Sequence, residues 1–361
     1  MADINDLDAL KKSLWTKPPI PAEEFFEKVN GLAQGARQLC ALRAAEKCGV
    51  LDLLKDFRSP QEISGKFTHP DLITSLIHVI AEAGFLERSG DKYRCTPLVR
   101  TFLTQESPYN QEPYLEKLIW HISDLWVNLP EILNQGPKIY QEEDFFNIRS
   151  LPSMATNTLC GRLQETVAAV ERLPGFKSAR KMIDLGGGHG LYTIALAARN
   201  PKLQGIVFDL PGVVSRAEDF IRRYGMGQQV MTVAGNFFSD SIGSGYDIVL
   251  SSSNPSGKSC DMIKIIADAL NPGGYFVNIQ PGDSEPHEDP SILLEWELWT
   301  FSDVHIPKKL WEKKKKFYTK DYKEALLQAG FTILSMNQIS DPYQKEYTVT
   351  LLIAEKTGVT S

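Results

Sequence analysis

A glycine-rich turn between a buried strand and a helix constrains this chain more than any other stretch. Residues 181–185 predict the strand, residues 186–190 the turn, and residues 191–196 the first turns of the helix. Glycine permits a backbone turn and a close approach that a Cβ atom would block, and the N-terminus of a helix presents free N–H groups. The stretch therefore predicts a ligand-binding corner.

The spacing of the glycines narrows the choice of ligand. They stand at positions 186, 188 and 190, whereas the dinucleotide fingerprint Gly-x-Gly-x-x-Gly requires a glycine where this chain has Leu191. A second predicted strand ends on Asp209, which lies about 20 residues past the glycines, where a carboxylate can accept both hydroxyls of a ribose. We therefore expect a nucleoside ligand.

Strands and helices alternate from Lys181 to the end of the chain. The predicted strands are residues 182–185, 206–210, 230–234, 247–251, 275–279, 332–336 and 347–354. The last two strands follow each other without a helix, so we expect them to be antiparallel. Such alternation predicts an α/β fold with a doubly wound sheet, which binds its ligand at the carboxyl ends of the central strands.

Five motifs lie in order along the chain: Asp184-Leu185-Gly186-Gly187-Gly188-His189-Gly190, Phe208-Asp209-Leu210-Pro211, Gly235-Asn236-Phe237-Phe238, Leu270-Asn271-Pro272-Gly273-Gly274 and Ala329-Gly330-Phe331. Together they resemble class I S-adenosylmethionine-dependent methyltransferases, and most closely the plant-type and hydroxyindole-type O-methyltransferases. The resemblance implies a Rossmann-like catalytic domain, S-adenosyl-L-methionine as cofactor, and methyl transfer to a small-molecule acceptor, most simply O-methylation.

The resemblance also implies how the cofactor is bound. The glycines would approach its amino-acid part and ribose, and Asp209 would accept from the ribose hydroxyls. Asn236 replaces an acidic residue of the family, although its side-chain oxygen can still accept a hydrogen bond from the adenine amino group. Phe237 would pack on the adenine ring or within the core. The complete predicted cofactor set is Asp184, Gly186, Gly188, Gly190, Asp209, Leu210, Asn236, Phe237 and Ser251.

The N-terminal region predicts a winged helix. Ser59-Pro60-Gln61-Glu62 is a capping box, a second helix runs from Pro70 to Ala83, and a hairpin turns at Ser89-Gly90-Asp91. The second helix contains neither Lys nor Arg, which groove binding requires, and the formal charge of the chain is −6. We therefore expect no nucleic-acid partner, and the resemblance implies that this domain forms a homodimer through an apolar stripe from Leu32 to Ala45.

Three regions follow from these patterns. We predict a winged-helix-like dimerisation domain at residues 1–100, a helical connector at 101–175, and a catalytic domain binding S-adenosylmethionine at 176–361. The connector is rich in aromatic residues, which either form a core or, as the resemblance implies, line the acceptor pocket. The predicted acceptor contacts are Trp126, Met154 and Trp299.

The loop after the fourth predicted strand departs from the family. Family members carry a histidine there as general base, whereas this chain has Ser251-Ser252-Ser253-Asn254-Pro255-Ser256-Gly257-Lys258. A general base typically contributes about 10²- to 10⁴-fold, so the acceptor is acidic, or the methyl group goes to carbon or sulfur, or another residue is the base. We predict His305 for that role, with His287 and His121 as alternatives; each could equally be a packed or surface histidine.

A basic cluster, Lys308, Lys309, Lys313, Lys314, Lys315 and Lys316, stands in an otherwise acidic chain. It is either a solvated face or a patch that attracts an acidic acceptor. The family's glycine-rich loop with a Glu-Arg pair is absent from this region, which argues against the usual phenolic substrate.

The remaining patterns bear on the cellular location of the protein and on the alternatives to a methyltransferase function. The N-terminal residues lack the pattern of a signal peptide, no apolar run is long enough for a membrane span, and the five cysteines are scattered without a metal-binding or disulfide pattern. We therefore expect a cytoplasmic protein without a metal site. One rival function is a degenerate cofactor-binding regulator. A second is a dehydrogenase, which Leu191 and the antiparallel final pair of strands disfavour. A third is a transcription factor, which is disfavoured because the second helix contains neither Lys nor Arg.

Overall fold

The chain folds as two units, Met1–Glu112 and Pro113–Ser361. The structure is a computed structural model that describes residues 7–281, 289–302, 320–339 and 349–357. Within these ranges no helix combines the length and the apolar character needed to cross a membrane.

The first unit is mainly helical. Its elements are α1 (Leu7–Ser13), α2 (Ala22–Lys47), α3 (Val50–Leu53), α4 (Pro60–Ser64), α5 (Pro70–Glu82), the strands β1 (Leu86–Ser89) and β2 (Lys92–Cys95), and α6 (Pro97–Phe102). The predicted capping box forms, because the Ser59 hydroxyl accepts from the Glu62 N–H while the Glu62 carboxylate accepts from the Ser59 N–H at 2.6 Å. The two predicted helices and the antiparallel hairpin are thus confirmed.

The second unit begins with a helical region. It contains α7 (Glu112–His121), a π-helical segment (Ile122–Trp126), α8 (Leu129–Gln135), α9 (Glu142–Asp144), a second π-helical segment (Phe145–Ser150), α10 (Leu151–Thr158) and α11 (Arg162–Glu171). A short strand, β3 (Lys138–Tyr140), pairs in parallel with β9 (Trp299–Phe301).

A seven-stranded sheet forms the rest of this unit. Its strands are β4 (Lys181–Leu185), β5 (Gln204–Asp209), β6 (Val230–Ala234), β7 (Tyr246–Ser252), β8 (Leu270–Pro281), β10 (Phe331–Ile339) and β11 (Val349–Lys356). The helices are α12 (Leu191–Arg199), α13 (Val214–Arg223), α14 (Cys260–Ala269), α15 (Pro290–Glu297) and α16 (Lys320–Gln328). The strand order is β10-β11-β8-β7-β4-β5-β6.

The topology confirms the predicted α/β fold. Strands β8, β7, β4, β5 and β6 are mutually parallel, and β11 runs antiparallel to both β8 and β10. Strand β8 begins at Leu270, five residues before the predicted start at Tyr275, because a register shift lets Leu270 pair with Tyr246.

Alternating side chains of the central strand cover the two faces of the sheet. Met182 belongs to the core on one face, and Ile183 and Leu185 belong to the core on the other. The register places Leu185 beside Phe208 on β5 and beside Ser251 on β7. The turns that follow these three strands therefore meet at one edge of the sheet, as expected for parallel strands.

Candidate functional site

A solvent-open cavity with about 950 Å³ of empty space, its mouth included, lies at this edge of the sheet. The predicted cofactor residues that line it are Asp184, Gly186, Gly188, Asp209, Leu210, Asn236 and Phe237. The other two predicted residues, Gly190 and Ser251, are not part of its lining. Gly190 precedes α12, and the buried Ser251 hydroxyl contacts the hydroxyl of Ser256 at 2.7 Å.

The glycine turn has a backbone that other residues rarely adopt. Gly186 and Gly188 have φ angles of +63° and +52°, in the left-handed region that glycine favours. A Cβ atom on Gly188 would lie 2.7 Å from the Leu151 Cδ2 atom, and one on Gly186 would lie 2.9 Å from the Asn254 Cγ atom. The left-handed backbone therefore favours glycine at both positions, and a Cβ atom at either one would force the neighbouring side chain to shift.

Asp184 presents a buried carboxyl group at the floor of the cavity. The residue is 1% exposed, its Oδ2 atom accepts from the Thr193 hydroxyl at 3.1 Å, and its Oδ1 atom has no hydrogen-bond partner among the described residues. Burial raises its pKa to about 8. A cationic ligand group would complete this site, because an opposite charge favours the ionised carboxylate.

Asp209 joins the end of β5 to the glycine turn. Its Oδ2 atom accepts from the Gly188 N–H at 2.7 Å, and its Oδ1 atom accepts from the Leu210 N–H at 2.8 Å. Burial raises the pKa of Asp209, and the negative charges of Glu142 and Glu143 raise it further. The two hydrogen bonds lower it, and the resulting pKa is about 6. Each carboxylate oxygen keeps a further lone pair with which to accept a ligand hydroxyl.

Asn236 and Phe237 form the wall that follows β6. The Asn236 side-chain oxygen accepts from the Phe238 N–H at 2.9 Å, and the Asn236 N–H donates to the Asp240 carboxylate at 2.8 Å. Phe237 is 7% exposed and belongs to the core on one face of the sheet while also lining the cavity. Its ring therefore packs in the core and is also available to a ligand.

Arg162 and His189 also line the cavity and were not predicted as site residues. The Arg162 guanidinium donates to the Ser253 hydroxyl at 3.3 Å. The His189 Nδ1 atom accepts from the Leu191 N–H at 3.1 Å, and its Nε2 atom lies 3.4 Å from the Thr158 hydroxyl. Burial and the Arg162 charge lower the pKa of His189 to about 4, so its ring is neutral at pH 7. His189 stands within the glycine motif, where the sequence could have suggested it, whereas no pattern singles out Arg162.

Asn254 lies in the loop after β7, and its side chain faces inward. Its amide group donates to the Leu185 carbonyl at 2.6 Å, and its side-chain oxygen accepts from the Ser256 N–H at 2.9 Å and from the Ser256 hydroxyl at 2.6 Å. Ser253, beside it, is a non-glycine residue with a φ angle of +53°. Asn254 therefore ties the loop to the end of β4.

The predicted acceptor residues separate in space. Met154 lines the cavity, whereas Trp126 and Trp299 are not part of its lining. The Trp126 indole N–H donates to the Glu295 carboxylate at 2.8 Å, and Trp299 stacks on Phe145 with ring centroids 4.5 Å apart.

Of the three predicted bases, His121 lies within the described residues. His121 is 7% exposed, and its Nδ1 atom lies 2.5 Å from the Glu295 carboxylate. His305, His287 and the lysine cluster at positions 308–316 lie outside the described residues.

Comparisons with known proteins agree with this fold. The profile of a family described as the O-methyltransferase domain matches residues 154–332. An uncharacterised protein of Methanocaldococcus jannaschii is 29% identical over 91% of this chain and 90% of its own length. The N,N-dimethyltransferase OxyT of Streptomyces rimosus is 28% identical over 73% of this chain and 80% of its own length. The structure of an O-methyltransferase family protein from Burkholderia thailandensis superposes with a TM-score of 0.67 at 25% identity, covering 92% of this chain and 98% of that chain.

Proposed function

Since this chain belongs to the class I S-adenosylmethionine-dependent methyltransferases and resembles the O-methyltransferase family, we propose that its cavity holds the methyl donor beside a small-molecule acceptor. The observation that carries this proposal is the single cavity lined by the glycine turn, Asp184, Asp209 and Arg162. The cofactor supplies an activated methyl group on a sulfonium.

The residues of the cavity fit the separate parts of S-adenosylmethionine. The orphaned Oδ1 atom of Asp184 suits the ammonium group of the amino acid, and the Arg162 guanidinium suits its carboxylate. Asp209 would accept from the ribose hydroxyls, and Phe237 would pack on the adenine ring. The Asn236 side-chain oxygen already accepts from the Phe238 N–H and keeps a second lone pair that would accept from the adenine amino group.

The described part of the cavity favours an acceptor that loses its proton without a general base. His189 is neutral, but its Nδ1 lone pair already accepts a backbone hydrogen bond, and Asn254 has no basic group. We propose O-methylation of an acidic hydroxyl, with thiol and carbon acceptors as alternatives. In all three, the protein contributes mainly by placing the acceptor in line with the methyl group. Met154 would contact the acceptor, and His305 remains our candidate base.

We also propose that the protein is a homodimer. The exposed apolar side chains of α2 support this proposal: Leu32 is 79% exposed, Phe25 63% and Phe26 58%. Ala45, at the far end of the predicted stripe, is buried within the chain, so these exposed apolar side chains lie on the N-terminal part of α2. Exposed apolar patches mark interaction sites. The winged-helix assignment of the first unit and a cytoplasmic location are parts of the same proposal. The five cysteines all lie within the described residues and form no disulfide there, which suits a reducing compartment.

Calorimetry followed by turnover assays tests the proposed function. S-adenosylmethionine and S-adenosylhomocysteine should bind, and NAD binding more tightly than either would contradict the proposal. A panel of phenols, thiols, carbon nucleophiles, carboxylates and amines should then reveal a methyl acceptor; amines are included because OxyT is a dimethyltransferase. Tight cofactor binding without any turnover would favour the regulator instead. If His305 is the base, His305→Ala should lower kcat by about 10²- to 10⁴-fold.

A further inference from the structure

A serine with an unusual backbone conformation lies in the loop after β7. Ser253 has a φ angle of +53° and is the one non-glycine residue with a positive φ in the part of the chain that the structure describes. A residue with a Cβ atom is strained in this left-handed region, whereas glycine adopts it freely. Strained residues cluster at functional sites, so the conformation of Ser253 suggests a use for its side chain.

Contacts on both sides of the loop fix the position of Ser253. Its N–H donates to the Ile279 carbonyl of β8 at 2.7 Å. The next residue, Asn254, donates from its side-chain amide to the Leu185 carbonyl of β4 at 2.6 Å. Strands β8 and β4 are the two neighbours of β7 in the sheet. The Ser253 side chain, which lines the cavity, is therefore held in a defined place.

The Ser253 hydroxyl has a proton that it can donate to a ligand. Its oxygen accepts from the Arg162 guanidinium at 3.3 Å, and Arg162 lines the same cavity. Among the described residues, no group accepts a hydrogen bond from this hydroxyl. A hydroxyl can accept and donate at the same time, so Ser253 and Arg162 are neighbouring donors in the wall of the cavity.

The order of the strands indicates which part of the cofactor belongs beside this pair. Strands β6, β5, β4 and β7 are successive neighbours in the sheet. The proposed cofactor contacts follow the same order, from Phe237 after β6 through Asp209 on β5 to Asp184 on β4. Ser253 follows β7, the next strand, which corresponds to the amino-acid end of the cofactor. The carboxylate at that end is an acceptor that needs donors.

We propose that the Ser253 hydroxyl donates a hydrogen bond to the carboxylate of the cofactor's amino-acid part, beside the Arg162 guanidinium. The proposal rests on the proposed function and adds a cofactor-binding residue that we did not predict from the sequence. An ionised acceptor strengthens such a bond, and the hydrogen bond from Arg162 polarises the hydroxyl and makes it a better donor. This contact explains why the position holds a serine and not a glycine, which would adopt the backbone without strain.

Calorimetry of Ser253→Gly with three ligands tests the proposal. The ligands are S-adenosylhomocysteine, its decarboxylated form, which keeps the ammonium group, and 5′-methylthioadenosine, which lacks the whole amino-acid part. The variant should bind S-adenosylhomocysteine about 10- to 100-fold more weakly than the wild type, the range for a hydrogen bond to a charged group. Its affinities for the two ligands without a carboxylate should stay within about twofold of the wild type.

Thermal unfolding supplies a second readout. Glycine relieves the left-handed strain at position 253, and this relief should at least offset the added flexibility of the unfolded chain. Ser253→Gly without ligand should therefore melt no lower than the wild type. Ser253→Ala keeps the Cβ atom and should lose affinity for S-adenosylhomocysteine to the same extent. A loss with glycine but not with alanine would mean that backbone flexibility caused it, which would overturn the inference.

Two other results would overturn the inference while leaving the proposed function intact. One is an unchanged affinity of Ser253→Gly for S-adenosylhomocysteine. The other is an equal loss with all three ligands, which would mean that Ser253 only supports the wall of the cavity. Wild-type protein that binds none of the three ligands would overturn both proposals.

Two further variants separate direct contact from indirect effects. In an Arg162→Met background, Ser253→Gly should still weaken S-adenosylhomocysteine by at least about threefold. If it causes no further loss there, Ser253 acts only by positioning Arg162, and the proposed contact is wrong. Ser244→Ala changes an exposed serine just before β7 and should bind all three ligands as the wild type does.

Discussion

The Asn254 side-chain amide donates a hydrogen bond of 2.6 Å to the Leu185 carbonyl, the last carbonyl of β4. The contact spans two turns that are 69 positions apart in sequence and holds the loop after β7 against the glycine turn. Asn254, in the loop after β7, is thus part of the cavity wall.

Replacing Asn254 should destabilise the fold. Asn254→Ala leaves the buried Leu185 carbonyl and the Ser256 N–H without their partner, at a cost of about 1–3 kcal/mol for each such group. Urea unfolding measures the change, and Asn337→Ala on the exposed side of β10 is the control, with an expected effect within about 0.5 kcal/mol. Equal stability of the two variants would show that the hydrogen bonds of the Asn254 side chain do not stabilise the fold.

Asp184→Asn should stabilise the free protein while weakening cofactor binding. Burial raises the pKa of Asp184 to about 8, against about 3.9 in an unfolded chain. The wild type therefore loses stability as pH rises between these values, and the asparagine variant does not. Its advantage in thermal unfolding should grow from pH 5 to pH 8, and its affinity for S-adenosylhomocysteine should fall. A pH-independent difference in stability would contradict the raised pKa.

Arg162→Met should weaken only ligands that carry the amino-acid carboxylate. We expect about a 10- to 100-fold loss for S-adenosylhomocysteine, the range for a charge-assisted hydrogen bond. The affinity for 5′-methylthioadenosine should stay within about twofold, because it has no carboxylate. If calorimetry gives the same loss for both ligands, Arg162 acts through the cavity wall and not on the carboxylate.

Cofactor binding should weaken in acid through Asp209. Ribose hydroxyls donate to the ionised form, and the pKa of Asp209 is about 6. Affinity should therefore be nearly constant above pH 7 and fall about tenfold from pH 7 to pH 5, as the carboxylate gains its proton. Using 5′-methylthioadenosine removes the contribution of Asp184 to ammonium binding. Asp209→Asn should bind weakly with a flatter pH profile, and an unchanged profile would place the ribose elsewhere.

Leu32→Asp should dissociate the proposed homodimer. Leu32 is 79% exposed in the chain taken alone, so a charge there does not disturb the core but would be costly in an apolar interface. Sedimentation should show wild-type protein at twice 40.4 kDa and the variant near that monomer mass. Leu334→Asp, at a 44% exposed residue of β10, is the control and should remain dimeric. Monomeric wild-type protein at micromolar concentration would contradict the proposal.

The sequence by itself determined the fold class and the position of the cavity. Both depend on short-range physics: apolar runs form the strands, Gly186 and Gly188 adopt left-handed backbone conformations, and parallel strands carry the turns after them to one edge. The capping box at Ser59 is local in the same way. These features can be predicted from the sequence because each depends on residues within a few positions of one another.

Only the tertiary structure decided which distant side chains line the cavity. Arg162 and Glu142 come from helical segments whose sequence shows no sign of ligand binding, and Asn254 turns inward because Leu185 offers a carbonyl in the adjacent turn. Trp126 and Trp299, which we predicted as acceptor contacts, lie against Glu295 and Phe145 and are not part of the lining of this cavity. The direction of such side chains depends on partners that are far away in sequence, and packing brings those partners together only in the folded chain.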